Sequence, residues 1–211
     1  MIIPCYWVNE QLWRMTDKCL TSQFKTSDIG EVIVVDDGSP YKIDDLDHGM
    51  LIKLDKNGGY AKAVNAGLRV ATGDYLIISN NDIEFVQPDW LDHLLKPLKE
   101  GYDISSIRTT DPDGWEVEDK ITEGDKFGSL WAMKRDVYTK LGPLDEGYGK
   151  GYFEDLDYQR RAEQEGFRIA KNHAGLVEHL GKATFKIVDP EDRSYHEAAG
   201  RFIQKWTPHK L

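Results

Sequence analysis

The chain has 211 residues, 40% hydrophobic and 30% charged, a size and balance suited to one globular unit with ample core material. Lys and Arg number 27 against 37 Asp and Glu, and the net charge of −10 opposes a phosphate backbone over most of the surface, which excludes nucleic acid as an expected partner. No apolar run approaches the roughly 18 to 20 residues of a membrane span, the start MIIPCYWVNE lacks the basic region of a secretory signal, and two cysteines are too few for a disulfide framework, so the expectation is a cytoplasmic chain with buried free thiols.

In chain order, Ile2 and Ile3 open a short strand, and residues 9–23 carry a helical stripe of Leu12, Met15, Cys19 and Leu20. EVIVV (31–35) predicts a second strand and MLIKL (50–54) a third. Residues 60–71 predict a helix with Val64, Leu68 and Ala71 on one side, and YLIIS (75–79) a fourth strand. Continuous apolar strands separated by helices predict an α/β fold with a parallel sheet covered on both faces, because solvent-facing antiparallel strands would alternate polar and apolar residues. Pro88 predicts the start of a helix reaching about residue 100, since proline's missing N–H is harmless in a first turn, and DISSI (103–107) reads as a strand. Residues 109–127 are polar and turn-rich and predict an exposed loop or hairpin, a candidate lid between two halves. GSLWAMKR (128–135) reads as a strand, RDVYTKL as a short helix ending at Gly142, and residues 153–165 as a longer helix ending at Gly166. A final amphipathic helix is expected over 191–206, with Ala198, Phe202, Ile203 and Trp206 on its apolar side.

Four clusters hold residues capable of chemistry. VVDDGS ends a strand in Asp36 and Asp37, at the edge where α/β proteins bind ligands. These carboxylates can accept hydrogen bonds from a ligand or close an Asx turn. KNGGYAKAVNAGL (56–68) places Gly58 and Gly59 before a helix whose first N–H groups favour an anion, with Lys62 in reach of a phosphate. It has neither the Walker nor the dinucleotide glycine spacing and also fits a plain turn into a helix. Asn80-Asn81-Asp82 ends another strand. A hard cation takes one or two protein carboxylates and leaves the rest to water and phosphates, so Asp82 is a candidate ligand, with turn capping the alternative. GYGKGYFEDLD delivers Glu154 and Asp155 to a helix start, where consecutive side chains diverge by about 100°. One can face a cleft as general base while the other caps the helix or pairs with Arg160 or Arg161. His179, in LVEHLGKATF, gains weight only in their company.

Taken in order, VIVVDDGS, NGGYAKAVNAGL, ISNNDIE, GSLWAMKRDVYTKLGPLDE, FEDLDYQRRAEQEGF and EHLGKAT resemble the family 2 glycosyltransferases of GT-A fold, most of all the bacterial rhamnosyltransferase-like branch, over about residues 2–185. The resemblance implies a Rossmann-like three-layer α/β/α domain with a mostly parallel central sheet. It divides the chain into a nucleotide-binding half (1–108), an acceptor and catalytic half (109–185) and a C-terminal helix (186–211). It also implies transfer of a sugar from a UDP- or dTDP-linked donor to a hydroxyl of a saccharide or glycolipid-type acceptor, with inversion and with Mn²⁺ or Mg²⁺. Contact with a membrane would then be peripheral, through the acceptor. Carried over by position, Pro4 and Tyr6 line the base pocket and Asp37 or Asp36 contacts the nucleobase, while Gly59, Lys62 and Asn65 lie beside the nucleotide. Asn80, with Asn81 next to it, sits near the ribose; Asp82 binds the metal and His179 completes the metal or diphosphate site. Asp155 is the implied base, with Glu154 a weaker candidate for that role.

Two other readings remain at this stage. A sugar nucleotidyltransferase would carry a Gly-rich basic loop after its first strand, where this chain reads CYWVNEQLW. A non-catalytic sugar-nucleotide-binding module would have no need of both Asp82 and Asp155.

Overall fold

A computed structural model of the chain describes residues 1–110, 118–124, 128–181 and 183–207. Strands β1 (Ile2–Cys5), β2 (Ile33–Asp36), β3 (Met50–Lys53) and β4 (Tyr75–Ser79) alternate with helices α1 (Glu10–Thr26) and α2 (Tyr60–Val70). There follow β5 (Ile83–Glu84), α3 (Trp90–Lys99), β6 (Ile104–Thr110), β7 (Ile121–Glu123), β8 (Leu130–Lys134), α4 (Arg135–Leu141), α5 (Glu154–Gln164), β9 (Ile169–His179), α6 (Ala183–Val188) and α7 (Arg193–Trp206).

The sheet runs β3-β2-β1-β4-β8-β6-β9-β5, with β7 added against β9. β1 to β4 pair in parallel, and β8 lies antiparallel to both β4 and β6. Since β6 and β9 pair in parallel, β6 and β9 point the same way as the first four strands, and only β5, β7 and β8 oppose them. The period-2 alternation of side chains explains the continuous apolar runs: Ile2, Ile33 and Ile78 enter one core, Ile3, Val34 and Ile77 the other. The first core is covered by α2, α4 and α5 through Val64, Leu68, Val137 and Tyr158; the second by α1 and α3 through Leu12, Cys19, Trp90 and Leu94. The result is the expected α/β/α layering, and both cysteines are buried free thiols.

Departures from the sequence reading have local causes. Helix α3 starts at Trp90, two residues beyond Pro88, with Asp89 as its N-cap. β8 was readable as a strand but not as an antiparallel one, because a run buried on both faces looks alike in either direction. β9 is not legible in the sequence because Asn172, His173 and Gly175 interrupt its apolar pattern. The β6–β9 register shifts there, between Ile107 and Arg108. Buried Asn172 serves that irregularity, donating to His93 O and accepting from Ala174 N. Of the expected loop or hairpin, residues 111–117 and 125–127 lie outside the described residues, and β7 ties Ile121–Glu123 to β9. The final helix is preceded by α6, which the sequence reading did not separate.

Candidate active site

The carboxyl ends of β1, β2 and β4 open into a cavity of about 460 Å³, the position where open α/β sheets bind ligands. Pro4, Cys5 and Tyr6 form one wall, Asp37, Asn57 and Tyr60 another, and Asn80, Asn81 and Asp82 a third. Lys150 and the segment carrying Phe185, Val188, Asp189, Arg193 and Glu197 complete it.

The two aspartates of the DDGS turn have separate tasks. Asp36 Oδ1 accepts the Ser39 N–H at 2.7 Å, and Ser39 Oγ in turn accepts the Trp7 N–H at 2.7 Å; Asp36 closes the turn and stays out of the cavity wall. Asp37 faces the cavity and accepts the N–H groups of Gly58 at 2.8 Å and Gly59 at 2.7 Å. Burial pushes its carboxyl above the usual range, and these two N–H groups oppose the rise.

The anion expected at the start of α2 is therefore met first by Asp37 itself. Gly59 has φ +96°, and a Cβ there would lie 1.9 Å from Gly149 O, so only glycine lets this turn meet the 149–150 backbone, where Tyr60 N donates to Lys150 O. The Lys62 stem packs over Gly58 rather than lining the cavity. Asn65 is also placed away from the cavity. Its amide bonds both backbone groups of Leu144 at 2.9 Å and Glu146 Oε1 at 3.0 Å, a clamp between α2 and the loop before α5. The lysine that does line the cavity is Lys150, whose Nζ donates to Asn57 Oδ1. Its only trace in the sequence is its place between glycines in GYGKGYF.

The NND turn is brought to His179 by the β5–β9 pairing, in which Ile83 is opposite His179 and Leu180 N donates to Asp82 O. His179 Nε2 lies 3.0 Å from Asp82 Oδ1. Asn80 bridges outward: its Oδ1 accepts the Tyr60 hydroxyl at 3.1 Å, and its Nδ2 is 3.4 Å from His179 Nε2. Asn81 turns its amide to Thr16 Oγ1 of α1. A carboxylate oxygen suits Mn²⁺ or Mg²⁺, and of the two Mn²⁺ accepts an imidazole nitrogen more readily. Neighbouring donors on a six-coordinate ion with bonds of about 2.1 Å stand about 3 Å apart, as these two do. Among the described residues no third His, Cys, Asp or Glu joins them, so other ligands would come from water and a bound diphosphate.

The carboxylate pair begins α5. Tyr152 and Phe153 both have left-handed backbones, with φ of 73° and 67°, and Phe153 is the N-cap without a side-chain cap bond. Glu154 is buried, its Oε2 has no hydrogen-bond partner, and burial together with the neighbouring Asp155 charge pushes its carboxyl up to about 8. Asp155 is half-buried and accepts the Leu156 N–H at 2.7 Å. The expected arginine pairing falls elsewhere: Arg161 bonds Asp157 at 3.1 Å, and Arg160 stacks over Phe202 at 4.8 Å. Glu154, Asp155 and His179 are not among the residues that line the cavity. Burial, then the charges of Glu154, Asp155 and Asp82, hold the Tyr60 phenol well above the usual range.

This layering and strand-end cavity are those of the GT-A fold. A mannosyltransferase of Pyrobaculum calidifontis, solved with GDP-Man and Mn²⁺, superposes with a TM-score of 0.66 at 18% identity, over 96% of this chain and 63% of that one. Glucosyl-3-phosphoglycerate synthase of Mycobacterium tuberculosis, solved with Mn²⁺, UDP and glucosyl-3-phosphoglycerate, gives 0.66 at 14% identity, over 97% of this chain and 78% of that one. The sequence profile of glycosyl transferase family 2 matches residues 1–174, and the chain belongs to that family. Undecaprenyl-phosphate 4-deoxy-4-formamido-L-arabinose transferase of Photorhabdus laumondii is 28% identical over 117 residues, 51% of this chain. That match spans only 36% of the relative's length. No described helix is long and apolar enough to cross a membrane.

Proposed function

We propose that the chain is an inverting, divalent-metal-dependent glycosyltransferase that moves a sugar from a UDP- or dTDP-sugar to a hydroxyl of a saccharide or glycolipid-type acceptor. The observation that carries this reading is the strand-end cavity lined by Asp37, Asn80, Asp82 and Lys150, with His179 Nε2 placed 3.0 Å from Asp82 Oδ1. Two solved structures of the same fold hold GDP-Man or UDP together with Mn²⁺, which supports a nucleoside-diphosphate sugar as the donor class and a divalent metal. The name of the Photorhabdus relative, an undecaprenyl-phosphate sugar transferase, supports a glycolipid-type acceptor.

In this reading the base of the nucleotide lies between Tyr6 and Pro4, with Asp37 at its edge, and the diphosphate extends toward Asp82 and Lys150. Asp82 and His179 would hold the cation, which when bound supplies Lewis acidity toward the departing diphosphate. Burial, with the neighbouring Asp155 charge, raises the Glu154 carboxyl to about 8, so in this reading Glu154 keeps its proton at neutral pH and Asp155 is assigned the part of accepting one. Asp155 takes the acceptor's hydroxyl proton as that oxygen bonds the anomeric carbon and the carbon–oxygen bond to the diphosphate breaks. Lys150 and Arg193 offset the charge that develops on the leaving group.

A panel of UDP- and dTDP-sugars with Mn²⁺ tests the reading, by thermal shift for binding and by nucleotide release for transfer. Asp155→Asn is expected to keep the donor-induced shift and lose transfer by about 10² to 10⁴-fold. Full turnover in that variant, or binding with no donor consumed by the native chain, would overturn it.

A further inference from the structure

The rings of the C-terminal segment form a ladder that ends on the two residues before the carboxylate pair. Phe185 of α6, which lines the cavity, stacks 4.4 Å from Tyr152. Tyr195 of α7 sits 5.4 Å from Tyr152 and 5.3 Å from Phe153. Phe202 follows seven residues later on the same face of the helix and lies 5.3 Å from Phe153. The helix also grips the flanks of this segment: Arg201 and Lys205 pair with Asp145 at 3.1 and 2.8 Å, and Trp206 Nε1 donates to Asp157 Oδ1 at 2.9 Å.

Tyr152 and Phe153 have left-handed φ values and neither is Gly, Asn or Asp, so their backbone persists only where the surroundings over-determine it. The ladder supplies that constraint from one side. Gly151 permits it: a Cβ there would lie 2.8 Å from Phe185 Cζ, so the first ring rests directly on the backbone. Immediately after Phe153 the chain enters α5 at Glu154 and Asp155.

We propose that α7 is a positioning element for the carboxylate pair, with Tyr195 and Phe202 as positioning residues that hold Tyr152 and Phe153 in the left-handed conformation that aims Glu154 and Asp155. Neither ring lines the cavity, although Arg193, Ser194 and Glu197 at the start of the same helix do. The positioning role rests on the reading that the pair carries the proton transfer. Displacement of a catalytic group by about 1 Å is enough to cost on the order of 100-fold in rate.

The test compares the full chain with Tyr195→Ala/Phe202→Ala and with the ring-keeping Tyr195→Phe/Phe202→Tyr. Hydrogen exchange of residues 150–157 is expected to quicken at least tenfold in the alanine pair while β1 to β4 stay protected, and the ring-keeping pair restores the native rate. In transfer assays the alanine pair should lower kcat by roughly 10 to 100-fold with donor KM within about twofold. Unchanged exchange at 150–157, or a loss carried by donor KM instead of kcat, overturns the proposal. If the alanine pair does not fold, Tyr195→Leu/Phe202→Leu takes its place, and global loss of protection in that variant also overturns it. A native chain that consumes no donor would sink the transferase reading alone, since the exchange measurement decides the positioning without turnover.

Discussion

Glu154→Gln isolates a consequence of burying a carboxylate beside another. Glu154 is 6% exposed, one of its oxygens has no hydrogen-bond partner, and its carboxyl is pushed from an ordinary 4.5 up to about 8. The folded chain thus holds this proton more tightly than the unfolded one. The stability that the group contributes is complete below about pH 4.5 and is lost as pH rises through about 8. The difference, 8 minus 4.5, is about 3.5 pH units; at about 1.4 kcal/mol each it sets a ceiling of roughly 5 kcal/mol. Coupling to Asp155, the helix N-terminus and local relaxation reduce this, and about 2 to 3 kcal/mol is the working figure. Glutamine keeps the shape without the charge. The variant should melt close to the native chain at pH 5 and about 5 to 10 °C above it at pH 8.5 to 9, at roughly 2 to 4 °C per kcal/mol for a chain of this size. Transfer should survive within about tenfold, because Asp155 accepts the proton. Melting curves across pH 5 to 9 are the assay, and parallel curves for the two proteins would refute the burial reasoning.

Further outcomes follow from other parts of the site. Asp82→Asn removes one of two candidate cation donors and should weaken Mn²⁺-dependent nucleotide binding at least tenfold by calorimetry, while metal-free binding changes little; equal affinities would remove the metal from this pair. Gly59→Ala drives a Cβ into Gly149 O at φ +96° and should cost about 2 kcal/mol or more in urea unfolding, together with loss of the donor-induced thermal shift; native behaviour would mean the two loops part freely. Burial opposes ionisation of Asp145, yet Lys205, the Gly147 N–H and Arg201 hold its carboxyl down to about 2. That stability is present above about pH 3.8 and fades as pH falls through about 2, so Asp145→Asn should unfold at lower urea than the native chain at pH 7 and approach it near pH 2; a constant gap would remove the ion pairs as the cause.

What the residues alone determined was local. Apolar runs and helical stripes placed most strands and helices within a few residues, because side-chain period is set by backbone geometry. The DDGS, NND and FED segments marked strand ends and a helix start in the order of a family to which the chain does belong. What tertiary structure decided depended on contacts between distant segments. β8 slips antiparallel between β4 and β6, and β9 forms across a register shift that breaks its apolar pattern. Pairing β9 with β5 is what sets His179 against Asp82, nearly a hundred residues apart. Asn65, in the most recognisable motif, turns to Leu144, the Lys62 stem packs over Gly58, and Lys150 lines the cavity. Asp36 and Asp37 are adjacent and chemically identical, yet one closes a turn and the other lines the cavity. Neighbouring side chains on a strand point to opposite faces, and only the assembled sheet and its loops decide which face holds the site.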